Sequence, residues 1–308
     1  MDKSVDNFGD RTRPGGKITI IFNPVAGNRR DALLHDTVTA LVRRGFEVSV
    51  IGTTGPGNAT DVAKKAVNDG VTTIVAAGGD GTINEVVSGV VGSDIPVGII
   101  PMGTANVLAL EFRLPRRAEA IADVIAEGAT RRLHIGRING RRFLLMVGAG
   151  FDGQVVHAVD SAMKRRWGKY AFVLQGLRAV IGNPARKLSV DADGTCYPAA
   201  WAVITNISSY GGPYTLLPGA DPGAKELTAI LFQKAGRLPM CCNLIWIGLG
   251  IAVRSRSVNV VRAMSFRLSS PEDAPVPVQI DGDAAGTLPV QIDATDQFIL
   301  VRCPPVAR

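Results

Sequence analysis

Residues 72–85 read TTIVAAGGDGTINE, from Thr72 to Glu85. The first six are β-branched or small, as in a strand buried on both faces, and Thr82 onward carries helical periodicity through Val91. Between them stand Gly78, Gly79 and Gly81, interrupted only by Asp80. A turn bare of side chains between strand and helix offers backbone N–H groups to an anion, and Thr82 with Glu85 has the spacing of a capping box. A tight turn requires neither three glycines nor an acid. An acid beside phosphates is unfavourable unless it serves a metal or a reacting hydroxyl. The stretch therefore predicts a phosphate-binding strand–turn–helix unit.

The same alternation extends to either side. Strands are predicted at 17–22, 46–51 and 96–100, and helices at 29–43, 58–67 (opened by Gly57-Asn58) and 104–111. Four strands alternating with helices imply a doubly wound parallel sheet, with ligands at the carboxyl ends of its strands. Two further turns lie at such ends. One is Asn23-Pro24-Val25-Ala26-Gly27, where Pro24 fixes the turn and Gly27 admits a ligand to the backbone. The other, Pro101-Met102-Gly103-Thr104-Ala105-Asn106, shares Gly-Thr-x-Asn with Gly81-Thr82-Ile83-Asn84. Similar turns side by side predict one cleft. The P-loop and the Rossmann fingerprint are both missing.

From about Arg132 the candidate strands alternate apolar and polar residues, the signature of an antiparallel sheet or sandwich. Val-Gln-Ile-Asp recurs at 278–281 and 290–293, which suggests two paired strands. Two helical patterns interrupt the series, one near Leu244 and one around Met163 to Ile181. In the second, Met163, Trp167, Tyr170, Leu174, Leu177 and Ile181 would form one apolar face. Packing on the core is the plainer reading of that face and contact with a membrane the sharper one.

At 308 residues the chain suits two domains of about 150 residues each. Its 46% hydrophobic and 20% charged content excludes a disordered or coiled-coil chain. The longest apolar run, Leu244 to Val253, is too short to span a bilayer. The N-terminus lacks the apolar core of a secretory signal, and Asp2, Asp6 and Asp10 speak against a transit peptide. Four cysteines without CxxC spacing point to a reducing, cytoplasmic setting. Net charge is 34 − 27 = +7, and Ser161 to Val190 alone carry seven Lys and Arg with no acid. One basic segment predicts a docking surface, not the several runs of a nucleic-acid binder.

Together, NPVAG at 23–27, GGDGTINE at 78–85 and PMGTANVLA at 101–109 resemble the diacylglycerol kinase catalytic-domain family of lipid kinases, which includes YegS-like and sphingosine kinases. Gly150-Phe151-Asp152, Tyr210-Gly211-Gly212, Pro218 to Pro222 and Asp281-Gly282-Asp283 extend the resemblance over nearly everything after residue 16. It implies an α/β nucleotide domain at 17–132, rejoined by 297–308, and a lipid-receiving antiparallel β-sandwich-like domain at 133–296, behind a disordered tail at 1–16. ATP with Mg²⁺ would lie across Asn23, Pro24, Gly27, Thr53, Gly78, Gly79, Asp80, Gly81, Thr82, Asn84, Glu85, Gly103, Thr104 and Asn106.

The implied reaction transfers the γ-phosphoryl group to a lipid hydroxyl. Asp283 stands where the family's proton-accepting Glu would be, and Asp80 and Asp281 join it as catalytic candidates. If the segment stays extended, Asp281 and Asp283 point the same way, whereas Asp-Gly read by itself is a common hairpin turn. Asp221 is the expected metal ligand in a loop where Ala224 and Thr228 replace the family's carboxylates, and His134 replaces an Asp. Expected partners are ATP, a lipid and an anionic membrane met peripherally through 161–190; a homodimer is compatible with this. The alternatives are a catalytically weak nucleotide- or lipid-binding homologue and a kinase of a soluble metabolite such as NAD.

Overall fold

The computed structural model describes residues 15–26, 31–159, 169–182, 187–271 and 275–305. Gly27, Met163 and Trp167 lie outside them, as do the side chains of Tyr170, Leu174 and Leu177.

Strands β1 (Gly15–Phe22), β2 (Phe46–Gly52), β3 (Thr73–Gly78) and β4 (Val97–Pro101) form a parallel sheet in the order β2-β1-β3-β4. Their connections are α1 (Asp31–Arg43), α2 (Asn58–Asn68) and α3 (Asp80–Val90), and β4 is followed by α4 (Val107–Glu111) and α5 (Ala118–Glu127). Successive residues of a strand face opposite ways. Ile20, Val75, Ala77 and Ile100 accordingly share a core with Leu41 of α1 and Ile121 of α5, while Ile21, Ile74, Ala76 and Ile99 share one with Ala63 of α2 and Val86 of α3. Helices on both faces explain why these strands read as unbroken apolar runs.

The second half continues as β5 (Ala129–Ile138), β6 (Arg141–Phe143), β7 (Met146–Gly150), α6 (Phe151–His157) and α7 (Lys169–Gly182). Then come β8 (Leu188–Ala192), β9 (Thr195–Ala199), β10 (Trp201–Thr205), β11 (Ser209–Tyr210), β12 (Tyr214–Thr215), β13 (Leu227–Phe232) and α8 (Arg237–Gly248). The chain closes with β14 (Val258–Ala263), β15 (Ser265–Ser269), β16 (Pro277–Ile280), β17 (Asp283–Thr287) and β18 (Val290–Cys303). An antiparallel sheet ordered β14-β13-β10-β7-β16-β17 faces the antiparallel extension of the first sheet, β18-β15-β8-β9. Val147, Ala202 and Ile204 meet Val190, Phe266 and Ile292 in the core between them.

The long β18 ties the halves together: Val301 pairs in parallel with Val97, and β5 runs antiparallel along most of its length. The two Val-Gln-Ile-Asp copies do not pair. The first lies mainly on β16 in one sheet and the second on β18 in the other, each drawn to separate neighbours by its own register. The expected strand through Tyr197 to Asn206 breaks at Ala200 into β9 and β10, again in different sheets. On α7 the buried described positions are Gln175, Gly176 and Val180, whereas Ile181, expected on the apolar face, is 68% exposed. Ile181 is the one position of the expected face whose side chain lies among the described residues.

Candidate active site

The turns after β3 and β4 touch through their backbones. A Cβ on Gly103 would lie 2.5 Å from Cα of Gly79, and Met102 N–H donates to Gly78 O at 2.9 Å. A Cβ on Gly78 would meet Thr82 Oγ1 at 2.5 Å. Gly78, Gly79 and Gly103 are therefore small because the turns are packed, while Gly81 has open space around its Cα. Asn106 adopts the left-handed conformation, φ 50°, and donates from Nδ2 to Gly103 O at 2.8 Å, closing the second turn.

Helix α3 starts at Asp80, so Thr82 and Glu85 do not form the expected capping box. Partners from other elements claim them: Asn23 Nδ2 donates to Thr82 Oγ1 at 3.0 Å, and Ala59 N–H donates to Glu85 Oε2 at 3.3 Å. The helix expected from Thr104 begins only at Val107, because Asn106 breaks the helical conformation. Asp80 occupies the entrance of that helix, where Leu108 N–H donates to its Oδ1 at 3.3 Å. Burial pushes its carboxyl above the usual range, against the pull of the α4 backbone N–H groups.

The opposite wall is the hairpin between β16 and β17. Asp281 and Gly282 have φ of 51° and 86°, so the segment turns where an extended one would have aligned Asp281 with Asp283. Asp281 Oδ1 accepts from Leu145 N–H at 2.8 Å and Met146 N–H at 3.0 Å, and Oδ2 accepts from Leu144 N–H at 2.9 Å and Asn84 Nδ2 at 2.7 Å. Burial, helped by repulsion from Asp80, lifts its pKa to about 6 while the three N–H groups work to lower it. Asp283 begins β17 and is exposed on the cleft wall.

A buried network supports the hairpin from behind. Tyr210 donates its hydroxyl to Asp152, Gln279 Nε2 donates to Asp152 Oδ2 at 2.6 Å, and Gly282 N–H donates to Gln279 Oε1 at 2.8 Å. Two motifs 58 residues apart in sequence, Gly150-Phe151-Asp152 and Tyr210-Gly211-Gly212, thus meet behind the Asp-Gly-Asp turn. Burial raises the pKa of Asp152, and burial together with that carboxyl raises Tyr210 well above its ordinary value.

Between the walls lies a cleft of about 1040 Å³. Asn23, Pro24, Thr53, Gly79, Gly81, Thr82, Asn84, Glu85, Asp281 and Asp283 all line it. Gly78, Asp80, Gly103, Thr104 and Asn106 do not; Asp80 instead borders a small cavity of about 10 Å³ shared with Asn84 and Asp281. Sequence reasoning missed Arg137, Arg141 and Arg142, which line the cleft from the β5–β6 hairpin. Asn139-Gly140 turns that hairpin with φ of 45° and 82°, and this dipeptide between arginines was the available signal.

Asp221 stands apart from the cleft and is exposed, its Oδ1 accepting from Gly223 N–H at 2.9 Å. Nearby carbonyls are also taken, Pro222 O by His134 N–H at 2.9 Å and Ala224 O by Asn206 Nδ2 at 3.2 Å. Among the described residues no three His, Cys, Asp or Glu side chains gather into a metal-holding group. The loop does not fit a structural magnesium ion. His134 itself is buried against Phe298, their ring centroids 5.7 Å apart, a packing role.

Residues 17–138 match the diacylglycerol kinase catalytic domain, and residues 145–303 match the YegS C-terminal NAD kinase beta sandwich-like domain. The chain is 30% identical over 292 residues to a diacylglycerol kinase of Staphylococcus saprophyticus, covering 92% of this chain and 94% of that one. It is 29% identical over 294 residues to its namesake in Staphylococcus carnosus, with the same coverage of 92% and 94%. A solved structure of a putative diacylglycerol kinase from Bacillus anthracis superposes with a TM-score of 0.76 at 22% identity, covering 95% of this chain and 98% of that one.

Proposed function

The chain belongs to the diacylglycerol kinase catalytic-domain family, and from that premise we propose that it transfers the γ-phosphoryl group of ATP to the hydroxyl of a lipid, diacylglycerol-like or sphingoid-like. The observation that carries the reading is the cleft itself, in which an open glycine edge and three arginines face an Asp-Gly-Asp hairpin. ATP phosphates lie along Gly79 to Thr82, where α3 presents its N-terminal N–H groups, with Asn23 and Thr53 beside them. Arg137, Arg141 and Arg142 offset charge on the transferring group. The lipid oxygen attacks the γ-phosphorus as the bond to the ADP oxygen breaks, and the lipid hydroxyl's proton passes to Asp283.

Asp80 and Asp281 are positioning residues in this scheme, since the hydrogen bonds that hold them fix the start of α4 and the hairpin. Glu85 is a cleft-lining carboxylate suited to a divalent cation, which would supply charge neutralisation on the triphosphate. The basic stretch 161–190, in which Arg178 and Lys187 are exposed, brings the enzyme to an anionic bilayer holding the acceptor.

Transfer from radiolabelled ATP to diacylglycerol, sphingoid bases, phosphatidylglycerol and NAD, run side by side, tests the reading. Label in a lipid supports it, and label only in NAD overturns it. The shortened Asp283 and the degenerate loop at Ala224 and Thr228 favour, as a second reading, a weak binding homologue, for which ATP binds and no acceptor is labelled.

A further inference from the structure

Helix α8 is apolar on its outer face as well as on the face it buries. Met240 and Ile247 are buried together with Asn243, whose Oδ1 has no hydrogen-bond partner among the described residues, while Leu238 is 75%, Ile245 59% and the adjoining Leu249 65% exposed. The outward stripe follows helical spacing through Leu238, Cys241, Ile245 and Leu249 without one charged or strongly polar side chain. Soluble monomers rarely leave so continuous an apolar face open, and such faces mark interaction sites. Two elements packed against α8 expose apolar side chains of their own, Tyr214 on β12 and Ile181 on α7.

Charge selects the occupant. From Leu227 to Pro271 the chain holds Lys234, Arg237, Arg254, Arg256, Arg262 and Arg267 and no acid, and Ser161 to Val190 are likewise acid-free with seven basic residues. Lys234 and Arg237 are exposed at the start of α8, and Arg254 shortly after its end. An apolar helix face between cationic ends suits an anionic lipid surface, where the apolar side chains enter the acyl boundary and the basic ones meet headgroups. A second copy of this chain would bring the same positive charge against itself.

We propose that α8 is a membrane-inserting element, with Leu238, Ile245 and Leu249 entering an anionic bilayer beside α7. This deepens the lipid-kinase reading, and rests on it only for the reason the enzyme must visit a bilayer. The test is co-sedimentation of the full chain with vesicles of phosphatidylcholine alone or mixed with phosphatidylglycerol. Wild type should bind the mixed vesicles and release them as salt rises. Combined Leu238→Ser, Ile245→Ser and Leu249→Ser should weaken binding by about tenfold or more at unchanged melting temperature, whereas Val42→Ser, at an exposed apolar position on α1, should bind as wild type does.

Ile245→Trp supplies a second readout, its fluorescence shifting to the blue on mixed vesicles, and it decides the matter should the triple variant fold poorly. Wild-type binding retained by the triple variant, or no blue shift, overturns the proposal. So does a dimer in light scattering that the triple variant dissolves while vesicle binding persists. Vesicle binding needs no turnover, so failure to label any lipid would sink the kinase reading and leave this result standing.

Discussion

The turn after β3 and the turn between β16 and β17 both pair glycine with aspartate, yet the fold gives their acids different surroundings. At Gly78–Thr82 the acid faces away from the cleft and accepts backbone N–H at the start of α4, leaving Gly81 open to the cleft. In the hairpin, Asp281 is tied down by Leu144, Leu145, Met146 and Asn84, and the next acid, Asp283, is carried onto the exposed wall. A carboxylate whose lone pairs are engaged by the backbone holds a turn in place. One exposed beside a cleft can meet a substrate. The comparison predicts that acids two residues apart fail in different ways when removed.

The largest effect is expected at Asp283. Asp283→Ala should lower turnover on the order of 10²- to 10⁴-fold, the usual contribution of a general base, with ATP affinity and melting temperature nearly unchanged. Asp283→Glu, which lengthens the acid by one methylene, should remain active. Turnover, ATP dissociation constant and melting curves on the same preparations check this. A stable, fully active Asp283→Ala protein would erase the contrast and move the base elsewhere.

Asp281→Ala should read out first in stability. It strips the acceptor from three backbone N–H groups and Asn84, and each buried donor left unpaired costs roughly 1–3 kcal/mol unless water replaces the acceptor. Its pH dependence has a definite sign. The folded pKa of about 6 lies above the ordinary 3.8, so the stabilisation belongs to the protonated form. It is fully present below about pH 4 and is lost as pH rises through about 6. Moving the carboxyl from 3.8 to about 6 corresponds to roughly 3 kcal/mol. Chemical denaturation between pH 4 and 7 should show this fall in wild type, and Asp281→Ala should flatten it.

The glycines test the first turn in the same way. Gly103→Ala would force a Cβ to 2.5 Å from the Gly79 backbone, and such overpacking typically costs 1–3 kcal/mol. Gly81→Ala meets nothing within 4 Å, so it should leave melting unchanged while weakening ATP binding by placing a methyl on the cleft floor. Equal losses of stability in the two variants would contradict the division between packing glycines and the open one.

The parallel-sheet half was legible in sequence because local signals decide it: strands covered on both faces read as apolar runs, and Gly-rich turns mark their ends. Failures fall where distant partners compete. Thr82 and Glu85 fit a capping box until Asn23 and Ala59 claim them. The Val-Gln-Ile-Asp copies look like a pair until register sends them to different sheets. Of the two readings open for Asp281-Gly282-Asp283, the local Asp-Gly hairpin holds and the extended one does not. Asn139-Gly140 marks the hairpin that carries Arg137, Arg141 and Arg142, but nothing local says that this hairpin faces a cleft whose other wall comes from β1 and α3.

The smallest expected effect extends the comparison to a third aspartate beside glycine. Asp221 resembles Asp281 in accepting a backbone N–H, that of Gly223, but it is exposed, and among the described residues no other carboxylates gather with it into a metal-holding group. The neighbouring carbonyls of Pro222 and Ala224 already accept from His134 and Asn206. A hard cation needs several oxygens converging on it, and it raises melting temperature only by binding the native state. Millimolar magnesium without nucleotide should therefore leave the melting temperature almost unmoved, and Asp221→Ala should change that null response little. With ATP present, the same magnesium should raise the melting temperature, because the triphosphate supplies the missing oxygens. A rise of several degrees without nucleotide, abolished by Asp221→Ala, would mean that this loop gathers an ion around a single carboxylate, and that an acid satisfied by its own backbone can still serve a ligand.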